Sequence, residues 1–297
     1  MIFSFQDWII KFLSGDYPVH QAIVIRSVVA MPILLVMIAL HGGLKQIRSP
    51  SAPWLCVRGL VLVVAYTTYY LAFPAMPLAN VIALWFTTPL FVTALAGPML
   101  GEKVEPRRWA ATIIGFAGVL IIMRPGTDAF TLASLLPIAS SFTYAISALM
   151  ARRMGGTDSA PVMSIWQNTM YLLAALLMAV IMGAGNFTSD DPSLAFLFRP
   201  WTMPSLFDFL LLAACGVIAA VATVLLAQAY RMAEANFVTS FEYSAMIWAV
   251  LGGYVIWSEV PDHYTLAGTA LIVGAGLFML FGARPAPTQP VDVKIVD

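Results

Sequence analysis

The residue with the most chemistry to offer is an arginine inside an apolar run. Arg26 lies in HQAIVIRSVVAMPILL, about six residues into a hydrophobic stretch. A charge in hydrocarbon needs a partner or a wet cavity. Arg26 could snorkel to the interface, hold helix-end carbonyls, or bind a substrate carboxylate, and the residues leave these open. Its counterpart is Glu242, the carboxylate set well inside a long apolar run. A low dielectric favours the neutral carboxyl. Glu242 could therefore carry a proton, act as a neutral hydrogen-bonding group, or pair with Arg26. Asp7 and Lys11 stand at i,i+4, where they can neutralise each other on one helix face.

A set of rings and hydroxyls accompanies these charges. Tyr66 and Tyr70 are one turn apart and are expected to look into a cavity. Trp85 and Tyr144 fall several residues inside their runs, deeper than an interfacial aromatic belt. Thr88, Ser140, Ser141 and Ser147 add hydroxyls, and Trp166, Gln167, Asn168, Tyr243 and Trp248 add further polar edges. Aromatic faces attract an ammonium group. Pro32, Pro89 and Pro137 interrupt helical hydrogen bonding. Pro89, beside Thr87 and Thr88, is the best hinge candidate, with a plain packing kink as the other reading.

The elements that must position these residues are membrane helices. The 297 residues are 61% hydrophobic and 10% charged, against roughly 25% charged in soluble domains. Apolar runs of about 20 residues suit a bilayer core of about 30 Å. Ten spans are expected: 1–14, 20–41, 54–74, 78–100, 108–124, 131–151, 161–184, 207–230, 236–258 and 263–282. The first, about 21 Å long as a helix, falls short of the core thickness, and reads as a truncated helix or a half-span. The loop 185–206 is aromatic-rich and is expected at the interface. The segment 284–297 is Pro-rich and polar, and is expected to be a disordered cytoplasmic tail.

With both termini cytoplasmic, eleven of the fifteen basic residues fall inside, Arg58 among them, which is the expected bias of an inner-membrane protein. Zero net charge gives no footprint for nucleic acid. Cys56 and Cys215 have no metal or disulfide spacing. No Gly-rich loop followed by Lys is present, so ATP binding is not expected. The three histidines lie at span ends, which disfavours an intramembrane enzyme. No cofactor, no metal and no obligatory protein partner are expected; the partners are the lipid bilayer and a small-molecule substrate.

The chain also repeats itself. Met76, Ala79 and Asn80 recur 156 positions later as Met232, Ala235 and Asn236, and Glu102 recurs as Glu259. Five spans per half make the repeat inverted, the arrangement of many secondary transporters. The expected fold is thus an all-α integral membrane protein. Ten transmembrane helices would form two inverted five-helix repeats around a central cavity, in one domain over 1–283 (1–124 and 131–283). Ala111, Gly115, Gly118, Ala270 and Gly274 would let spans 5 and 10 pack closely as a support.

The repeat, the short hairpin at 75–77, Pro89, Arg26 and the paired Glu102 and Glu259 resemble the drug/metabolite transporter superfamily in its EamA form. Within it, the chain most resembles the YddG-type aromatic amino-acid exporters. Openings similar to SFQDWIIKFLSGDYPVHQ also occur in relatives that carry riboflavin or S-adenosylmethionine. The resemblance implies alternating access and supplies the direction, export. Only Lys11 and Arg26 are counted as basic groups within spans, which disfavours sugar phosphates and nucleotides. An amino acid is expected: carboxylate to Arg26, ammonium to the rings. An uptake carrier for riboflavin, S-adenosylmethionine or another aromatic metabolite is the alternative.

Overall fold

The computed structural model describes residues 2–101, 105–127, 131–154, 158–232, 238 and 244–281, and every regular element within them is helical. Twelve α-helices are seen there: α1 Ile2–Leu13, α2 Val19–Leu40, α3 Ala52–Leu71, α4 Leu78–Trp85, α5 Thr88–Leu100, α6 Pro106–Met123, α7 Leu135–Met154, α8 Ala160–Met182, α9 Pro192–Phe198, α10 Leu206–Met232, α11 Ala245–Trp257 and α12 His263–Phe281. Six stretches are long and apolar enough to cross a bilayer: Val19–Leu40, Ala52–Leu71, Leu78–Leu100, Leu132–Met154, Ala160–Met182 and Leu206–Met232. Shorter apolar helices cover Trp109–Met123, Ala245–Trp257 and His263–Phe278.

Local sequence sets the helix ends. Proline opens α3, α6, α8 and α9 in the first turn, where its missing N–H costs nothing and its φ is already helical. Gly101 takes the left-handed conformation, φ 71°, that closes α5. The loop 185–206 is not wholly irregular, because α9 forms inside it. Asp191 caps α9, its carboxylate accepting from Leu194 N at 3.0 Å.

The run 78–100 departs from the continuous span expected. It is two helices, parted at Phe86 and Thr87. Pro89 has no N–H for the carbonyl of Trp85, four residues earlier. The Thr88 hydroxyl donates to that carbonyl instead, at 2.8 Å. The Thr87 hydroxyl serves Leu84 O at 2.8 Å and meets the Ser141 hydroxyl of α7 at 2.5 Å. Two side chains thus repair the break that one proline makes, as hydrocarbon surroundings require.

α2, α3, α7, α8 and α10 pack on one another in the middle, while α6 packs chiefly on α12. The α6–α12 contact is a mutual glycine crossing. A Cβ on Gly118 would stand 2.6 Å from Gly268 O, and one on Gly268 would stand 2.5 Å from Gly118 O. Gly216 of α10 lies as close to α2, since its Cβ would meet Arg26 O at 2.6 Å. Small residues at such crossings let backbones approach where lipid offers no hydrophobic drive. Large apolar side chains such as Leu40, Val180 and Ile247 point outward, as a lipid-facing surface demands.

Candidate functional site

α2 carries Arg26 about 10 Å in from its first residue, by helix rise. The side chain is 2% exposed. Gln6 of α1 supports it: Arg26 Nε donates to Gln6 Oε1 at 3.1 Å, and Gln6 Nε2 donates to the Tyr70 hydroxyl at 2.5 Å. The guanidinium carbon stands 5.5 Å from the Tyr171 ring centre. Nη1 of Arg26 has no partner within the described residues. A buried guanidinium fixed at one edge and unpaired at the other is poised for an anion.

Arg58 is a second such group, and it corrects the reading of the sequence. It is missing from the basic groups counted within spans. It lies in the second turn of α3 and is 6% exposed. Its one hydrogen bond among the described residues is long, Nε to Ser147 O at 3.4 Å. The basic groups within the helical body are therefore not limited to Lys11 and Arg26.

The two arginines mark two small cavities that share a wall. A cavity of about 20 Å³ is lined by Arg58, Leu62, Tyr66, Tyr144, Ser147, Ala148, Gln167, Thr223, Leu226, Ala227 and Tyr230. One of about 10 Å³ is lined by Arg26, Ala30, Leu34, Ser164, Gln167, Asn168, Tyr171, Ala219 and Thr223. Gln167 and Thr223 belong to both. Tyr66 organises the rings around them, 6.2 Å from Tyr144 and 5.5 Å from Tyr171, both edge to face. These geometries are the favourable ones for aromatic pairs.

Of the residues singled out in the sequence, Arg26, Tyr66, Tyr144, Ser147, Gln167 and Asn168 line these cavities. Tyr70 does not; it is buried behind Tyr66 and bonded to Gln6. Trp85 packs against Tyr144, ring centres 5.2 Å apart and planes tilted by 57°, and is not among the residues that line either cavity. The hydroxyl of Thr88 bonds Trp85 O of α4 across the break, and Pro89 stands in the first turn of α5 just after it. Trp166 turns away and donates to Ile47 O at 3.1 Å. Trp248 packs on Phe5 and Trp8 of α1. Glu242, Glu102, Tyr243 and the repeated Ala235 and Asn236 lie outside the described residues, as does the tail 284–297. Arg58, Thr223, Tyr171 and Tyr230 were not foreseen. Tyr171 OH donates to Leu62 O at 2.7 Å and ties α8 to α3.

Asp7 and Lys11 do not pair with each other. The Tyr69 hydroxyl donates to Asp7 at 3.1 Å. Lys11 instead reaches Glu259 at 2.5 Å and Met76 O at 3.3 Å. The second oxygen of Glu259 accepts from Leu78 N at 3.0 Å. One carboxylate thus clasps α1, the start of α4 and the residues after α11. At the same end, Arg124 pairs with Asp262 at 2.8 Å. Arg199 donates to Ser14 O at 2.6 Å, and Tyr17 OH to Asp208 at 2.7 Å. This Lys11 end is laced shut by contacts between segments far apart in sequence.

Comparison with known proteins bears on the family and the fold. Residues 1–124 match the EamA-like transporter family. The riboflavin transporter of Vibrio cholerae serotype O1 is 31% identical over 259 residues, 86% of this chain and 80% of the relative. The S-adenosylmethionine uptake transporter of Rickettsia bellii is 24% identical, covering 97% of this chain and 92% of that one. The pseudopaline exporter of Pseudomonas aeruginosa is 25% identical, covering 92% and 90%. A crystal structure at 18% identity shares the fold, with a TM-score of 0.65 over 94% of each chain.

Proposed function

Because the chain belongs to the EamA-like transporter family, we propose that it moves a small carboxylate-bearing metabolite, an amino acid or a near relative, by alternating access through the cavities that meet at Gln167 and Thr223. It is a multi-pass membrane protein of a transporter family, and its substrate is a small molecule. The observation that carries the finer reading is the unpaired Nη1 of buried Arg26 beside a wall of tyrosines. A guanidinium holds a carboxylate, and the ring faces suit an ammonium or an apolar side chain.

In this reading ten helices cross the membrane as two inverted halves, 1–124 and 131–283, in an inner membrane with both termini cytoplasmic. Export is the proposed direction, and the pseudopaline exporter supports it, while the relative named an S-adenosylmethionine uptake transporter stands on the other side. One observation favours a second reading, an aromatic vitamin of the riboflavin type. Tyr66, Tyr144 and Tyr171 form a stacking wall, and the relative at 31% identity is named for riboflavin.

Counterflow in proteoliposomes separates the two. Vesicles are loaded with unlabelled amino acids or riboflavin, and labelled Phe, Leu, Thr and riboflavin are supplied outside, with and without a pH gradient. Accumulation of amino acids but not riboflavin supports the first reading, with loss on Arg26→Gln. Accumulation of riboflavin alone overturns it.

A further inference from the structure

We infer that the substrate carries two anionic groups, one held by Arg26 and the other by Arg58, with Gln167 between them. This deepens the carboxylate-carrier reading and rests on it.

Three observations carry the inference. Both guanidiniums are buried, at 2% and 6% exposure, and neither has an ion pair among the described residues. Both have spare donors: Nη1 of Arg26 is unpartnered, and Arg58 makes only the 3.4 Å contact to Ser147 O. Each lines one of two cavities that adjoin at Gln167 and Thr223, so one charge lies on each side of that shared wall. Arg26 enters near the start of α2 and Arg58 near the start of α3. These helices run in opposite directions, which leaves on the order of 10 Å between the two α-carbons along the bundle. Long arginine side chains shorten that gap to the span of a small molecule with an anion at each end. One uncompensated arginine in a membrane interior is a substrate or counter-ion site by default. Two beside adjoining cavities suit two negative groups, and Asp7, whose carboxylate accepts from the Tyr69 hydroxyl, forms no ion pair with either arginine among the described residues.

The shared chemistry is a pair of separated anions. Carboxylate and phosphate are its two sources, and the test keeps them apart. The full-length protein in proteoliposomes is assayed by counterflow with labelled glutamate against glutamine, and phosphoserine against serine. Within each pair the molecules differ by one anionic group. A preference of tenfold or more for glutamate over glutamine supports a dicarboxylate; the same preference confined to phosphoserine supports a phosphate at one end. Arg58→Gln then lowers the preference for the doubly anionic member of the pair at least fivefold, and Arg58→Lys restores part of it. A merely structural Arg58 lowers both members of a pair together, which overturns the inference. So does equal exchange of glutamate and glutamine, and of phosphoserine and serine, by the unaltered protein, a result that needs no variant to fold. In that case exchange of glutamine or Phe leaves the carboxylate carrier standing. Exchange of no amino acid at all removes both readings.

Discussion

Replacing Glu259 by glutamine opens the Lys11 end. The Glu259 side chain is 23% exposed and that of Lys11 7% exposed. Removing one partner of a fully buried ion pair costs roughly 3–5 kcal/mol, and of an exposed pair less than about 1. This pair lies between, at about 2 kcal/mol. The clasp joins α1, the α3–α4 turn and the segment after α11, so its loss weakens the state in which those parts are together. If the opposite state lacks the clasp, the ratio of closed to open falls by about thirtyfold. A single thiol at Thr223→Cys, with Cys56 and Cys215 changed to alanine, reports access to the cavities. An impermeant maleimide is added to each side of the membrane in turn. Glu259→Gln should raise the labelling rate from the Lys11 side about thirtyfold and not from the other. Adding Lys11→Met removes the orphaned ammonium and should recover thermal stability without closing that end. Unchanged labelling from both sides, in protein that is folded and merely less stable, would refute the gating argument.

Gly118→Ala or Gly268→Ala should part α6 from α12, since each new methyl meets a backbone carbonyl; overpacking of this kind costs about 1–3 kcal/mol and is read as a fall in Tm. Thr87→Val should cost about 1–2 kcal/mol, because Leu84 O and the Ser141 hydroxyl lose their common partner, and the loss appears in thermal unfolding. Pro89→Ala supplies an N–H for Trp85 O and should lower the transport rate if the α4–α5 break moves in the cycle, with binding of substrate kept. Asp262 gives a pH test. Burial raises its carboxyl, but bonds from Thr265 and the charges of Arg124 and His263 outweigh that and hold it below its ordinary range. A carboxyl lowered on folding contributes stability that is present above its unfolded pKa and lost as pH falls through the folded value. Asp262→Asn should therefore flatten the acid limb of a Tm–pH profile below about pH 4 and lower Tm at neutral pH.

The helical class and helix positions were legible because apolar run length and proline placement are local properties. Pro89 was legible as an interruption for the same reason, although the parting of 78–100 into two helices and its repair by Thr87 and Thr88 were not. Partners were not legible. Spacing put Asp7 beside Lys11, but the stronger acceptor for Lys11 is Glu259, 248 residues away. Arg58 was counted with the basic residues of the cytoplasmic side because α3 begins only six residues before it, and rules for counting basic residues treat such positions as flanks. Among the aromatics, helical spacing names a face but not what lies across it. Tyr66 and Tyr70 share a face, yet only Tyr66 reaches the cavity, because Gln6 of α1 covers Tyr70. Trp166 follows the same logic, drawn off by a carbonyl of the α2–α3 connection.

The two buried arginines also bear on how the chain is made. Each raises the cost of inserting its helix by about 2.5–3.5 kcal/mol. α2 is strongly apolar and can bear that alone, whereas α3 is the less apolar of the two. The neighbours that surround Arg58 are α7, α8 and α10, all synthesised later. α3 therefore enters the bilayer with its charge exposed and waits for half the protein to arrive. Assembly has an order built into it, and the interval before α8 docks is when the nascent chain is most open to recognition by membrane quality control.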